Sequence, residues 1–402
     1  MNALVFLMAL LGVSYLAGLL GRGRSVRGMG LPSGIEWVAL GVILGPSVLA
    51  VIDGALQRQV EPAAQVAIGW LSFVLGLDFG VVRRRRLSFG RAVMGVAVGA
   101  GTAAAVGGAV WFAIPSFIEL GADDRLLLSL GLAAVLTETT ANAVRWVAER
   151  HGAHGPLSQL LADLAEAKDL VPILTVGVAI CWRPSFAWPL PLPAVTLTAA
   201  LVVLGAILGA VAAVLLRHEQ RAEQSWGVLL GTSVLGVGVT ARLGLPVPTV
   251  LFAMGWLLGA LSRRRDQLTH MVDPTQRPAL LPALILAGAR VEPPLLARLG
   301  GLIGVALAAR LVLLLMLGSI FGSKKVGARG LLGLGMLSTG DLSIGIGLIF
   351  ALRFPTGVGP VVLTAAACGA LFGELVGPAA LRLSLKRAGE LEAQAQAESA
   401  GT

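Results

Sequence analysis

The chain has 402 residues, of which 56% are hydrophobic and only 13% charged, and its mean hydropathy is +0.85. That much apolar surface cannot be hidden in one water-soluble core, so lipid must be the solvent and a soluble fold is excluded. The net charge of +9 would suit nucleic acid, but the basic residues are spread along the chain rather than gathered on a polar domain, and no nucleic-acid partner is expected.

Apolar runs of about 17 to 25 residues place helices near 2–20, 34–52, 62–82, 89–114, 126–148, 156–182, 189–216, 226–243, 246–262, 278–291, 299–320, 330–353 and 357–381. The expected fold is an all-α polytopic membrane protein of about 13 transmembrane helices. The first run, Asn2 to Leu20, has no basic region before it and no small-residue cleavage site before Arg22, so it reads as a retained helix.

Basic residues favour every second loop. Arg22, Arg24 and Arg27 follow the first span, Arg83 to Arg86 the third, Arg145 and Arg150 the fifth, and Arg217 and Arg221 the seventh. Arg263 to Arg265 follow the ninth, Lys324, Lys325 and Arg329 the eleventh, and Arg382, Lys386 and Arg387 the last, while the other loops carry one each. By the positive-inside pattern the N-terminus lies outside and the C-terminus in the cytoplasm, which requires an odd number of spans.

The two halves are alike. Gly41 and Gly45 of the second span align with Gly255 and Gly259 of the ninth, and Gly76 near the end of the third with Gly288 of the tenth. Elements seven spans apart have opposite orientation, so this is an inverted-topology repeat, a common transporter architecture. Each Gly-x-x-x-Gly alone would mark only close helix packing. The repeats cover approximately 1–182 and 226–385, linked by the helix 189–216, within a membrane domain over 1–385; a short cytoplasmic tail, 386–402, is expected to be disordered or a frayed helix.

Ionisable residues deep in apolar spans are costly and mark function by default. The fifth span carries Glu138, Thr139 and Thr140; the sixth Asp163, Glu166, Lys168 and Asp169; the eleventh Arg310; and the twelfth Ser338, Thr339, Gly340 and Asp341. The fifth and twelfth are repeat mates, each interrupted by hydroxyl residues and one acid, and both read as broken helices. Two crossed breaks leave helix ends and freed carbonyls facing a midplane site where an ion can be coordinated.

On the sixth span Asp163, Glu166 and Asp169 share a face, while Lys168 lies about 100° from Asp169 and reaches a neighbouring helix. Pro172 is expected to bend the chain just beyond Asp169. A carboxylate in such a site holds a proton or a cation but not both, and that competition suffices for exchange; Asp169 is the expected carrier. The alternative is a set of ion pairs that merely fastens helices.

Cys181 and Cys368 lack metal-ligand spacing, so neither a disulfide framework nor a metal site is indicated, and no cofactor is expected. His151, His154, His218 and His270 fall in expected cytoplasmic loops, solvated more readily than sensing pH. No hydrolytic motif or phosphate-binding glycine loop is visible, so an enzyme is not expected.

These residues resemble the monovalent cation/proton antiporter superfamily and, within it, the Kef-like second family. Leu31-Pro32 through Gly41-Val42-Ile43-Leu44-Gly45-Pro46-Ser47 is similar to that family's second-span signature, and Phe73-Val74-Leu75-Gly76-Leu77-Asp78 to its third-span motif. Glu138-Thr139-Thr140-Ala141 stands where Kef-like members have Ser-Ser-Thr-Ala, Asp169-Leu170-Val171-Pro172 where they have the ion-binding Asp, Gly340-Asp341 where they have Gly-Glu, and Arg310 where a Lys is usual.

The resemblance implies a homodimer in the bacterial inner membrane that exchanges Na+ or K+ for H+ by elevator-like alternating access. It assigns Asp169, Glu138, Thr139, Thr140 and Asp341 to the ion and proton site, with Lys168, Arg310, Glu166 and Gly340 supporting. Lys168 departs from the pattern, since relatives carry Asp, Asn or Gln before the ion-binding Asp. A non-transporting sensor or scaffold subunit with the same fold, and transport of another solute, are the alternatives.

Overall fold

The computed structural model describes residues 33–85, 89–153, 155–184, 192–218, 222–262, 264–321 and 331–391. The expected first span and the end of the tail lie outside them. The described chain is almost wholly helical: α1 (Ile35–Leu44), α2 (Gly54–Arg85), α3 (Phe89–Ala113), α4 (Ala122–Thr137), α5 (Ala141–Arg150), α6 (Pro156–Lys168), α7 (Leu170–Trp182), α8 (Ala194–His218) and α9 (Ala222–Arg242). There follow α10 (Val247–Leu261), α11 (Arg265–Val272), α12 (Gln276–Arg290), α13 (Pro293–Phe321), α14 (Leu331–Leu334), α15 (Asp341–Arg353) and α16 (Val358–Arg387). Among the described residues six helices are long and apolar enough to cross a bilayer, and α1 and α10 are shorter apolar helices.

Several elements depart from the expected spans for local reasons. The run 34–52 stops helical at Leu44, because Pro46 has no N–H to continue the ladder and restricts Gly45 before it. The chain then turns back, with Ala50 left-handed at φ 51° and the Ile52 N–H donating to the Leu44 carbonyl at 2.8 Å. The run 156–182 is two helices that meet at Asp169. Pro172 lacks the N–H that would reach the Lys168 carbonyl four residues back, so the break falls at Asp169 rather than beyond it. The helix α11 is too short and polar to register as an apolar run; it holds His270, and His218 ends α8.

The described part of the tail, as far as residue 391, departs from expectation. α16 continues to Arg387, and Glu390 is buried instead of frayed.

The helices pack as two groups. α2, α8, α9, α10, α12 and α1 pack on one another, and α3 to α7 pack with α13 to α16. The glycines matched between the two halves make corresponding contacts. A Cβ at Gly41 would run into the Ile285 carbonyl oxygen and the Gly288 Cα, and one at Gly288 would meet Val38 and Gly41. A Cβ at Gly255 would run into the Phe73 carbonyl oxygen, and one at Gly76 into that of Phe252. Since Gly41 corresponds to Gly255 and Gly288 to Gly76, the α1–α12 contact is the repeat mate of the α10–α2 contact. Close backbone approach of this kind supplies packing where lipid gives no hydrophobic drive. Gly76→Val should therefore cost at least about 1–3 kcal/mol by overpacking, read as a lower unfolding temperature in detergent, whereas Gly108→Val, which meets open space, should not.

Candidate functional site

The two breaks meet. α4 ends at Thr137 and α5 begins at Ala141; α14 ends at Leu334 and α15 begins at Asp341. The Thr140 N–H donates to the Ser338 carbonyl across the crossing at 3.3 Å, and the Ser343 hydroxyl donates to the Val135 carbonyl at 2.6 Å. Interrupted helices leave N–H and C=O groups that must be satisfied where there is no water.

The buried charges do this work. Arg310, on α13, is 2% exposed. Its Nη2 donates to the carbonyl oxygens of Glu138 at 2.8 Å, Leu337 at 3.3 Å and Met336 at 3.4 Å, and its Nη1 to the Thr339 hydroxyl at 2.8 Å. A cation here sits against the negative ends of two interrupted helices. At the positive end of α15, the Gly340 N–H donates to the Glu138 carboxylate at 2.5 Å. A Cβ at Gly340 would press on Thr140 and that carboxylate, so glycine is required by space at this contact. Thr140 caps α5, accepting from the Asn142 N–H.

Lys168 is fully buried, and its Nζ donates to the Thr139 hydroxyl at 2.9 Å. Thr139 in turn donates to the Met336 carbonyl at 3.0 Å. Thr339 is treated alike: it accepts from Arg310 and donates to the Gly369 carbonyl at 3.1 Å. Each break therefore has one threonine whose hydroxyl accepts a hydrogen bond from a buried basic side chain and donates one to a carbonyl. Lys168 thus reaches the break between α4 and α5, not a neighbouring helix as expected.

Asp169 behaves differently. It is only 7% exposed, yet its Oδ1 has no hydrogen-bond partner among the described residues. It faces a cavity of about 340 Å³ whose wall includes Asp78, Glu138, Thr140, Glu166, Asp273 and Asp341. The structure thus brings Glu138, Thr140, Glu166, Asp169 and Asp341 to one cavity and sets Thr139, Lys168, Arg310 and Gly340 at the crossing beside it. Asp163 is turned to Arg91, 2.7 Å away on α3, and takes no part.

Asp78, Asn142, Arg145 and Asp273 also line the cavity and were not among the expected site residues. Arg145 pairs with Glu166. Its signal was present in the sequence as a basic residue beyond the fifth span, indistinguishable there from a topology marker. Asp273 stands on the turn outside the spans, where burial raises its carboxyl above the usual range against the opposing pull of Arg145 and His270. Burial, then the charges of Arg382 and Arg150, hold the His151 imidazole below its usual range.

A second, apolar cavity of about 650 Å³ lies between α3 and α7 on one side and α8 and α10 on the other. Phe79 borders both cavities and packs against Phe252 with ring centroids 5.7 Å apart.

No family model matches this chain, and no curated protein matches it. Solved structures do. The chain is similar to the sodium proton antiporter MjNhaP1 from Methanocaldococcus jannaschii in its structure at pH 8, with a TM-score of 0.72, 17% identity, and coverage of 96% of this chain and 99% of that one. An electron-microscopy structure of the same antiporter gives a TM-score of 0.65 and 16% identity over 98% of each chain. The protein is a multi-pass membrane protein with the fold of a sodium proton antiporter.

Proposed function

We propose that this protein exchanges a monovalent cation, Na+ or K+, for H+ across the inner membrane, with Asp169 as the shared carrier. The observation that carries this reading is the free, buried Oδ1 of Asp169 in the wall of a carboxylate-lined cavity. An unpaired carboxylate in a desolvated site must take up either a proton or a cation, because leaving it bare is expensive. Occupation by one excludes the other, and exposure of the site to each side in turn converts that competition into exchange.

Glu138 and Arg310 act differently from Asp169: the Glu138 carboxylate accepts from the Gly340 N–H and both Arg310 Nη groups donate at the crossing, so they hold the site's shape. Arg145 and Asp273 stand beside spans whose ends are cytoplasmic by the positive-inside pattern, so the cavity is the inward-open entrance. Alternating access then moves the α3–α7 and α13–α16 group against the other, and the apolar cavity between α3, α7, α8 and α10 supports such sliding because little side-chain interdigitation opposes it there. The Kef-like motifs and the antiporter fold favour transport over a sensor role.

Lys168, when protonated, sets a positive charge beside the carrier. Lys168→Gln keeps a donor for Thr139 and removes that charge, so cation affinity rises; a lowering of the apparent KM of about tenfold corresponds to ~1.4 kcal/mol, modest for unit charges a few ångströms apart. The test is the cation dependence of proton movement in proteoliposomes. An unchanged KM would show that Lys168 does not act on the bound ion.

A further inference from the structure

The helix that ends at the carrier begins at a glycine. Gly155 offers no side-chain oxygen to the free N–H groups of the first turn of α6, and Pro156 follows it. The acceptor comes instead from the far end of the chain: the Leu157 N–H donates to Glu390 Oε1 at 2.5 Å and the Ser158 N–H to Glu390 Oε2 at 2.9 Å. Glu390 is only 7% exposed. A Cβ on Gly155 would run into its carboxyl group, so the glycine makes room for it.

The chain is built to deliver this side chain. α16 ends at Arg387, Gly389 takes the left-handed conformation at φ 74°, and the Glu390 N–H donates back to the Leu385 carbonyl at 3.0 Å. Leu391 then forms an antiparallel bridge with Ala153 in the α5–α6 connection, and Ala388 and Leu391 pack on the apolar cluster of Val147, Leu157, Leu161 and Leu385. Both helices joined by that connection line the carrier's cavity: Asn142 and Arg145 on α5, Glu166 on α6, and Asp169 at the end of α6. A helix of 13 residues is a stiff rod of about 20 Å, so holding it at Leu157 and Ser158 fixes the height of Asp169 at its other end.

We propose that Glu390 is a positioning residue for exchange. With Ala388 to Leu391 it clasps the α5–α6 hairpin to α16, and the clasp stays closed through the transport cycle. A carboxylate suits the task because it accepts from two N–H groups at once and opposes the positive end of α6. The inference rests on the reading of Asp169 as carrier.

The experiment uses the full chain in proteoliposomes, with Cys181 and Cys368 replaced by serine. Glu390→Ala should raise the apparent KM for the driving cation by about tenfold, the scale expected when a site loses its support by an ångström or less. Ala153→Cys with Leu391→Cys ties the bridge partners by a disulfide; oxidised, it should leave exchange intact, and combined with Glu390→Ala it should return KM to the wild-type value. A wild-type KM in Glu390→Ala would overturn the proposal, as would an oxidised wild-type pair that is inactive until reduced. If Glu390→Ala does not fold, Glu390→Gln and the tied Glu390→Ala protein give the same readings.

Amide hydrogen exchange separates this inference from the reading beneath it. In Glu390→Ala protection should fall along α6 as far as Glu166 to Asp169; a loss confined to the first turn would mean an ordinary helix cap and overturn the clasp. Wild-type protein that moves no protons would refute the antiporter reading, while the exchange pattern would still decide whether α6 is held by Glu390.

Discussion

Asp169→Asn should abolish cation-driven proton movement while leaving the helices assembled. The amide keeps the shape of the carboxylate but neither carries a charge nor takes a proton near neutral pH. Removing one partner of a desolvated charge pair costs ~2–5 kcal/mol, roughly one and a half to three and a half orders of magnitude in affinity. No intramolecular partner is lost at Oδ1, which has none among the described residues, so stability should hold or rise, since a buried unpaired charge has gone. Exchange rates over a cation series, with the unfolding temperature measured in the same detergent, check both halves. A variant that still exchanges at the wild-type rate would move the carrier role to another carboxylate of the cavity.

Arg310→Ala should be the most destabilising single change in the site. It removes the donor to the carbonyls of Glu138, Met336 and Leu337 and to the Thr339 hydroxyl, and it leaves the Glu138 carboxylate without that cation. Breaking a buried ion cluster by deleting one partner costs ~3–5 kcal/mol, a large part of the stability of most folds. The expected result is poor recovery from the membrane and a clearly lowered unfolding temperature. Arg310→Lys should rescue part of this, because an ammonium restores the charge but not the planar fork that reaches several acceptors. Equal stability of Arg310→Ala and wild type would show that the crossed breaks are held by packing alone.

These two residues illustrate how much could be read from the chain. Apolar runs locate most of the helices because the bilayer demands them, and a hydroxyl cluster with one acid inside such a run betrays each break. The matching glycines of the two halves are legible because close helix approach leaves only glycine, and Gly41 lies against Gly288 as Gly76 lies against Phe252. What remained hidden depends on meetings across the chain. Nothing local shows that Glu138 caps α15 through Gly340, 202 positions away, or that Arg310 serves carbonyls more than carboxylates.

Other features were hidden by competing explanations. Arg145 reads as a topology marker and Asp273 lies outside every apolar run, yet both line the cavity. Glu390 sits in an Ala/Gln/Glu-rich tail whose composition suggests fraying, and its burial follows from one glycine at Gly155 and one left-handed turn at Gly389. Asp169 and Lys168, adjacent in sequence, do opposite things because successive helical positions point about 100° apart: one faces the cavity and the other a threonine.

The most direct test of the account is cation-induced proton movement in proteoliposomes of purified protein, across Li+, Na+, K+ and Rb+, with Asp169→Asn alongside. The account predicts movement with at least one of Na+ and K+ and none in the variant. A well-folded, oriented wild-type protein that moves no protons with any of the four would contradict it.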